Sequence, residues 1–89
     1  MAVGINIQRE GANVSWTPGD YEGPVEIVAV NSVNGDVGTQ KDSNDGFHFE
    51  TYPPGFWQDH VTIFQLVDGV RGAVIDEGDI AVFVGDTGD

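Results

Sequence analysis

The stretch from His60 to Val84 limits this chain more than any other. His60-Val61-Thr62-Ile63-Phe64-Gln65-Leu66-Val67 reads as a strand, Asp68-Gly69 as a turn, and the remainder as the returning arm. Neither arm alternates cleanly. Val61, Ile63 and Val67 fall on one face of the first while Phe64 and Leu66 fall on the other, and Ile80, Val82 and Val84 oppose Ala81 and Phe83 in the second. A strand that is apolar on both faces needs a cover on both, and a two-layer fold supplies one. The other cover is a question of function.

At 89 residues the chain is one domain, 1–89, with a modest core. It contains no cysteine, which excludes disulfide frameworks and thiolate metal sites. Fifteen acidic residues stand against three basic ones, Arg9, Lys41 and Arg71, for a formal net charge of −12. That field repels phosphate backbones and anionic lipid, so neither nucleic acid nor a membrane surface is an expected partner. It suits solubility, a saline habitat or a basic partner. The N-terminus alternates from Val3 to Ile7 and lacks the apolar block of a signal peptide.

Strands and turns follow one another along the chain. Val3, Ile5 and Ile7 alternate with polar residues, and Glu10-Gly11 breaks the run. Val14 and Trp16 mark a second strand that ends at Pro18-Gly19-Asp20, because proline donates nothing to a ladder. Val25 to Val30 is apolar on both faces after Glu26, and Asn34-Gly35 predicts a type I′ hairpin turn. Asp36 to Asp45 is polar, an edge strand or a loop. Phe47, Phe49 and Thr51 then alternate with His48, Glu50 and Tyr52 up to Pro53-Pro54-Gly55, and Phe56-Trp57 falls in the connection that follows. Asp76-Glu77-Gly78-Asp79 interrupts the last arm as a bulge or tight bend, and Gly85 to Asp89 forms an acidic tail. Short strands at this spacing predict an all-β, seven-stranded antiparallel sandwich.

Val14-Ser15-Trp16-Thr17-Pro18 resembles the second strand of fibronectin type III domains. Pro54-Gly55, His60-Val61-Thr62-Ile63-Phe64 and Asp68-Gly69 resemble their corner, sixth strand and final hairpin, so the likeness spans roughly residues 12 to 75. Two departures stand out: His60 lies nearest the place of the corner tyrosine, and the connection from Gly55 to His60 is long. The resemblance implies an immunoglobulin-like or fibronectin-like sandwich that binds and displays rather than catalyses. It also implies that strands one, two and five share one sheet and strands three, six and seven the other.

The strands that are apolar on both faces all belong to the second group. With Thr62, Phe64 and Leu66 inward, as the resemblance implies, Val61, Ile63 and Val67 point outward beside Val28 and Val30 in an apolar patch for a partner. Phe56 and Trp57 are further partner candidates, since flat rings give apolar area at little entropic cost, although a small domain also needs such rings for its core. Trp16 belongs to the core.

Asp42-Ser43-Asn44-Asp45-Gly46 resembles a calcium loop but departs from the EF-hand pattern, and no metal or other cofactor is assigned. Asp59 and His60 adjoin in sequence, and strand neighbours point to opposite faces, so they form no catalytic dyad. The expected role is non-enzymatic. The plan of a lone acidic sandwich is similar to that of decoration proteins of tailed-virus capsids, with a virion location and a larger protein assembly, or other copies of itself, as partner. The alternative is a recognition module of a bacterial or archaeal surface protein, extracellular, that meets a glycan or a protein with or without calcium.

Overall fold

The computed structural model describes residues 3–8, 11–52 and 55–84, without the side chains of 5–8. The predicted apolar face of Ile5 and Ile7, and the acidic tail, lie outside that range. Described residues form strands β1 (Gly4–Gln8), β2 (Gly11–Ser15), β3 (Pro24–Asn31), β4 (Val37–Ser43), β5 (Phe47–Thr51), β6 (Gly55–Val67) and β7 (Val70–Val84), with no helix among them. They pair as two antiparallel sheets, one in the order β1-β2-β5 and the other β4-β3-β6-β7. The protein is all-β.

The two arms of the final hairpin, β6 and β7, pair antiparallel from Gly55–Val84 to Val67–Val70. At their turn Asp68 and Gly69 both hold positive φ, 53° and 78°, as a two-residue primed turn requires. Asn34-Gly35 departs from the type I′ prediction, because only Gly35 has positive φ. There the Asn31 side chain accepts hydrogen bonds from the Val33 and Asn34 amides and organises the bend instead. The predicted interruption at Asp76 to Asp79 is displaced. Those residues pair regularly with Ile63 to His60, and the register shifts beside them, where Ile75 is the extra residue.

Between the sheets lies a core that includes Val14, Trp16, Val25, Ile27, Val61, Ile63, Ile80 and Val82. Ile63 is fully buried, with 0% of its surface exposed. In the β3–β6 register Ile27 lies opposite Ile63 and Ala29 opposite Val61, so these side chains share the inner face. The expectation that Val61 and Ile63 point outward is therefore overturned. A shift of one residue reverses every side chain on a strand, and the apolar neighbours on β3 set the register here.

The two long sides of the sandwich differ. On one, the Val3 amide donates to the Glu77 carbonyl at 3.4 Å, so the first residues reach β7 while β1 pairs with β2. On the other, β4 and β5 face each other as sheet edges. There Asp42 of β4 and His48 of β5 meet, with 2.8 Å between Oδ2 and Nδ1.

The register of β5 turns its polar residues inward. Val14 pairs with His48 and Ala12 with Glu50, so the inward side of β5 carries a histidine and a glutamate, and Phe47 and Phe49 are exposed on the outer face. Gly11 holds this pairing close: a Cβ there would sit 2.0 Å from the Glu50 carbonyl oxygen. Only glycine lets the two backbones approach so nearly.

Candidate functional site

Two surfaces stand out. The first is the outer face of β4-β3-β6-β7. Phe56 and Phe83 are direct cross-strand partners there and remain 60% and 64% exposed. Phe56 and Trp57, expected in a connection, belong to β6, and strand alternation separates them. Phe56 faces outward, whereas Trp57 pairs with Val82 and packs against the core.

The middle of this face is polar. The two ring nitrogens of His60 lie 2.7 Å from an Asp79 oxygen and 3.2 Å from a Glu77 oxygen. Those hydrogen bonds, Asp79 first and then Glu77, hold the imidazole above its ordinary pKa. Arg71 pairs with Glu26 and lies over the Phe64 ring, 5.2 Å from its centroid. The predicted patch is thus divided. Val61 and Ile63 are in the core, Val28 is buried, Val30 is half-buried, and Val67 is exposed at the hairpin end with Val70 and Val74. Charges separate those valines from the phenylalanine pair.

The second surface is a cleft of ≈ 290 Å³ between the facing sheet edges. Ile27 and Ala29 of β3 and the rings of Tyr52 and Trp57 give it apolar walls. The two rings lie 6.0 Å apart at 37°. Three carboxylate residues, Asp36, Glu50 and Asp59, also line it. Asp59 is only 7% exposed, and its Oδ2 accepts a hydrogen bond from the Tyr52 hydroxyl at 3.1 Å. Burial foremost, then the charge of Asp59, raises the pKa of that hydroxyl well above its ordinary value.

The sequence reading missed this cleft. Its residues come from four separate stretches of the chain, and the inward turn of Glu50 cannot be read from a strand whose phenylalanines suggest the opposite face. The one legible signal was Asp59, an acidic residue inside a strand rich in apolar side chains.

The turn that resembles a calcium loop is occupied by structural contacts. Asn44 accepts from the Trp16 indole at 2.8 Å and donates to the Pro18 and Tyr21 carbonyls, while Asp42 contacts the Ser43 amide and His48. No family model matches the chain, and comparison with curated proteins gives no match.

Proposed function

We propose that the chain is a non-catalytic binding module with the plan of a fibronectin type III domain, and that it docks on a larger protein assembly of the capsid kind through the outer face of β6 and β7. The strand order supports the plan, since β1, β2 and β5 lie together opposite a sheet that holds β3, β6 and β7 side by side. The docking reading rests on one observation, the pairing of Phe56 with Phe83 in the open. Two large rings kept in water cost burial that a small domain can ill spare, and such groups mark contact with another chain.

The partner should be extended. Two phenylalanines bury on the order of 300–500 Å² between them, short of the roughly 800 Å² a side of a stable interface. The remaining large exposed apolar side chains of this hairpin, Val67, Val70 and Val74, lie at its far end, in a molecule 43 Å long. One partner covers both ends only if it is itself large. The non-catalytic reading is supported by the histidine on this sheet: carboxylates engage both nitrogens of His60, and Asp59 faces the opposite side.

The test is sedimentation. In a virion role, mass spectrometry of purified particles finds the chain in stoichiometric amount, and a Phe56→Ser, Phe83→Ser variant keeps its circular dichroism but no longer sediments with the shells. A variant that sediments unchanged ends the reading. Display of the protein on the producing cell, with none in particles, moves it to a surface recognition module, which the aromatic lining of the cleft would serve.

A further inference from the structure

We propose that the cleft between β4 and β5 is a binding site for a basic side chain, a lysine ammonium or an arginine guanidinium, presented by an extended segment of a partner protein. The site is separate from the phenylalanine pair and stands or falls independently of it.

Charge is the first reason. Asp36, Glu50 and Asp59 line the cleft, whereas neither Lys41 nor Arg71 does so, and His48, whose Nε2 lies 3.3 Å from Glu50 Oε2, stands outside the lining. Arg71 is engaged on the outer face with Glu26. Asp59 is more than nine-tenths buried and its hydrogen-bond partner Tyr52 is neutral. A buried carboxylate is costly without a counter-charge, and an entering cation supplies one. After burial, the charges of Asp59 and then Glu50 are what raise the Tyr52 hydroxyl, so the local potential is negative.

The walls narrow the ligand class. A hydrated metal ion gains nothing from Ile27, Ala29 and two aromatic rings, but a lysine or arginine carries an aliphatic stem with its charge at the tip. Tyr52 and Trp57 offer rings to the stem or, through cation–π attraction, to the head. The volume, ≈ 290 Å³, lies at the lower bound for whole small-molecule ligands and suits a side chain.

Position identifies the source. Val37, Gly38 and Gln40 of β4 line the cleft, and β4 ends its sheet. A peptide added along that edge as another strand turns alternate side chains toward the inner side of the sheet.

The experiment follows the two indole N–H signals in ¹H–¹⁵N spectra at about 0.15 M salt, where screening reaches about 8 Å and suppresses loose counter-ion binding. The probes are the blocked peptides Gly-Lys-Gly and Gly-Arg-Gly, with Gly-Gln-Gly, butylamine, calcium chloride and maltose for comparison. We expect a saturable shift of the Trp57 signal with the basic peptides, a static Trp16 signal, and affinity about fivefold weaker in Glu50→Gln. Asp36→Asn, in the exposed β3–β4 loop, gives the same loss without touching a buried group. Phe56→Ser with Phe83→Ser leaves the titration unchanged, which separates this site from the docking face. Shifts that spread over the surface without saturation overturn the proposal, as does an equal response of Trp57 to the glutamine peptide, maltose or calcium. Butylamine binding as tightly as the peptides overturns the assignment to a protein segment.

Discussion

Asp59 and His60 are consecutive, yet their side chains lie on opposite sides of the sheet: the aspartate meets the Tyr52 hydroxyl inside, and the imidazole meets Asp79 and Glu77 outside. The same strand thus places one acid in the cleft wall and one base on the outer face. Their burial differs accordingly, and so do the effects expected of each.

His60 gives a pH dependence whose direction follows from its raised pKa. Asp79 and Glu77 favour the charged imidazole in the folded chain. Its contribution is complete below the unfolded value of 6.5 and is lost as pH rises through the higher folded value. The group is substantially exposed, so the effect is small, about 0.5 kcal/mol at low salt. His60→Gln should lower stability to urea by that amount near about pH 5.5 and leave it unchanged near about pH 9, where the imidazole is neutral. An equal loss at both pH values would mean that packing, not charge, is what His60 contributes.

Tyr52→Phe removes the hydroxyl that donates to Asp59. A buried carboxylate deprived of a donor costs about 1–3 kcal/mol. Urea unfolding at neutral pH should show a loss in that range, and Asp59→Asn in the same background should recover part of it, because the amide brings no buried charge. Alkaline titration supplies a second check: the Tyr52 hydroxyl, raised by burial and then by Asp59, should not ionise until the protein unfolds.

Ile63→Asp should not fold. The side chain is fully buried, and a carboxylate there meets an apolar layer that includes Ile27 across the β3–β6 ladder. Even Ile63→Ala costs about 2–5 kcal/mol, a large part of the roughly 5–15 kcal/mol typical of a domain. Thr62→Asp, one residue earlier on the outer face, should retain the native circular dichroism. Reversal of this pair of outcomes would move the whole register of β6 by one.

These two neighbours show what the sequence could and could not carry. The all-β class, the antiparallel pairing and the turn at Asp68-Gly69 were legible, because turn residues and strand formers act locally. The facing of β6 was not, because a run that is apolar on both sides looks the same after a one-residue shift. Its choice depends on Ile27 and Ala29 on another strand. β5 misleads for a related reason: its phenylalanines are the obvious core candidates, but the close approach of Gly11 to Glu50 fixes a pairing that turns His48 and Glu50 inward. The cleft inherits that ambiguity, since the direction of Glu50 decides whether its carboxylate joins those of Asp36 and Asp59 in the lining.

Asn44 is the polar residue whose loss should be felt furthest along the chain. Its side-chain oxygen accepts from the Trp16 indole at 2.8 Å, and its amide donates to the Pro18 and Tyr21 carbonyls at 3.1 and 2.9 Å. One side chain in the β4–β5 turn therefore holds the end of β2 and the loop before β3. Asn44→Ala leaves a largely buried indole N–H and two carbonyls without this partner, at a cost of about 1–3 kcal/mol for the indole if water does not replace it. Trp16→Phe removes the same donor from the other side and also some packing volume. If the hydrogen bond is what links them, the double variant loses less than the sum of the two single variants, by about 1 kcal/mol in a urea-denaturation cycle followed by far-UV circular dichroism. Strict additivity would show that water or another group satisfies the indole once Asn44 is gone, and that Asn44 acts through its contacts with the loop carbonyls alone.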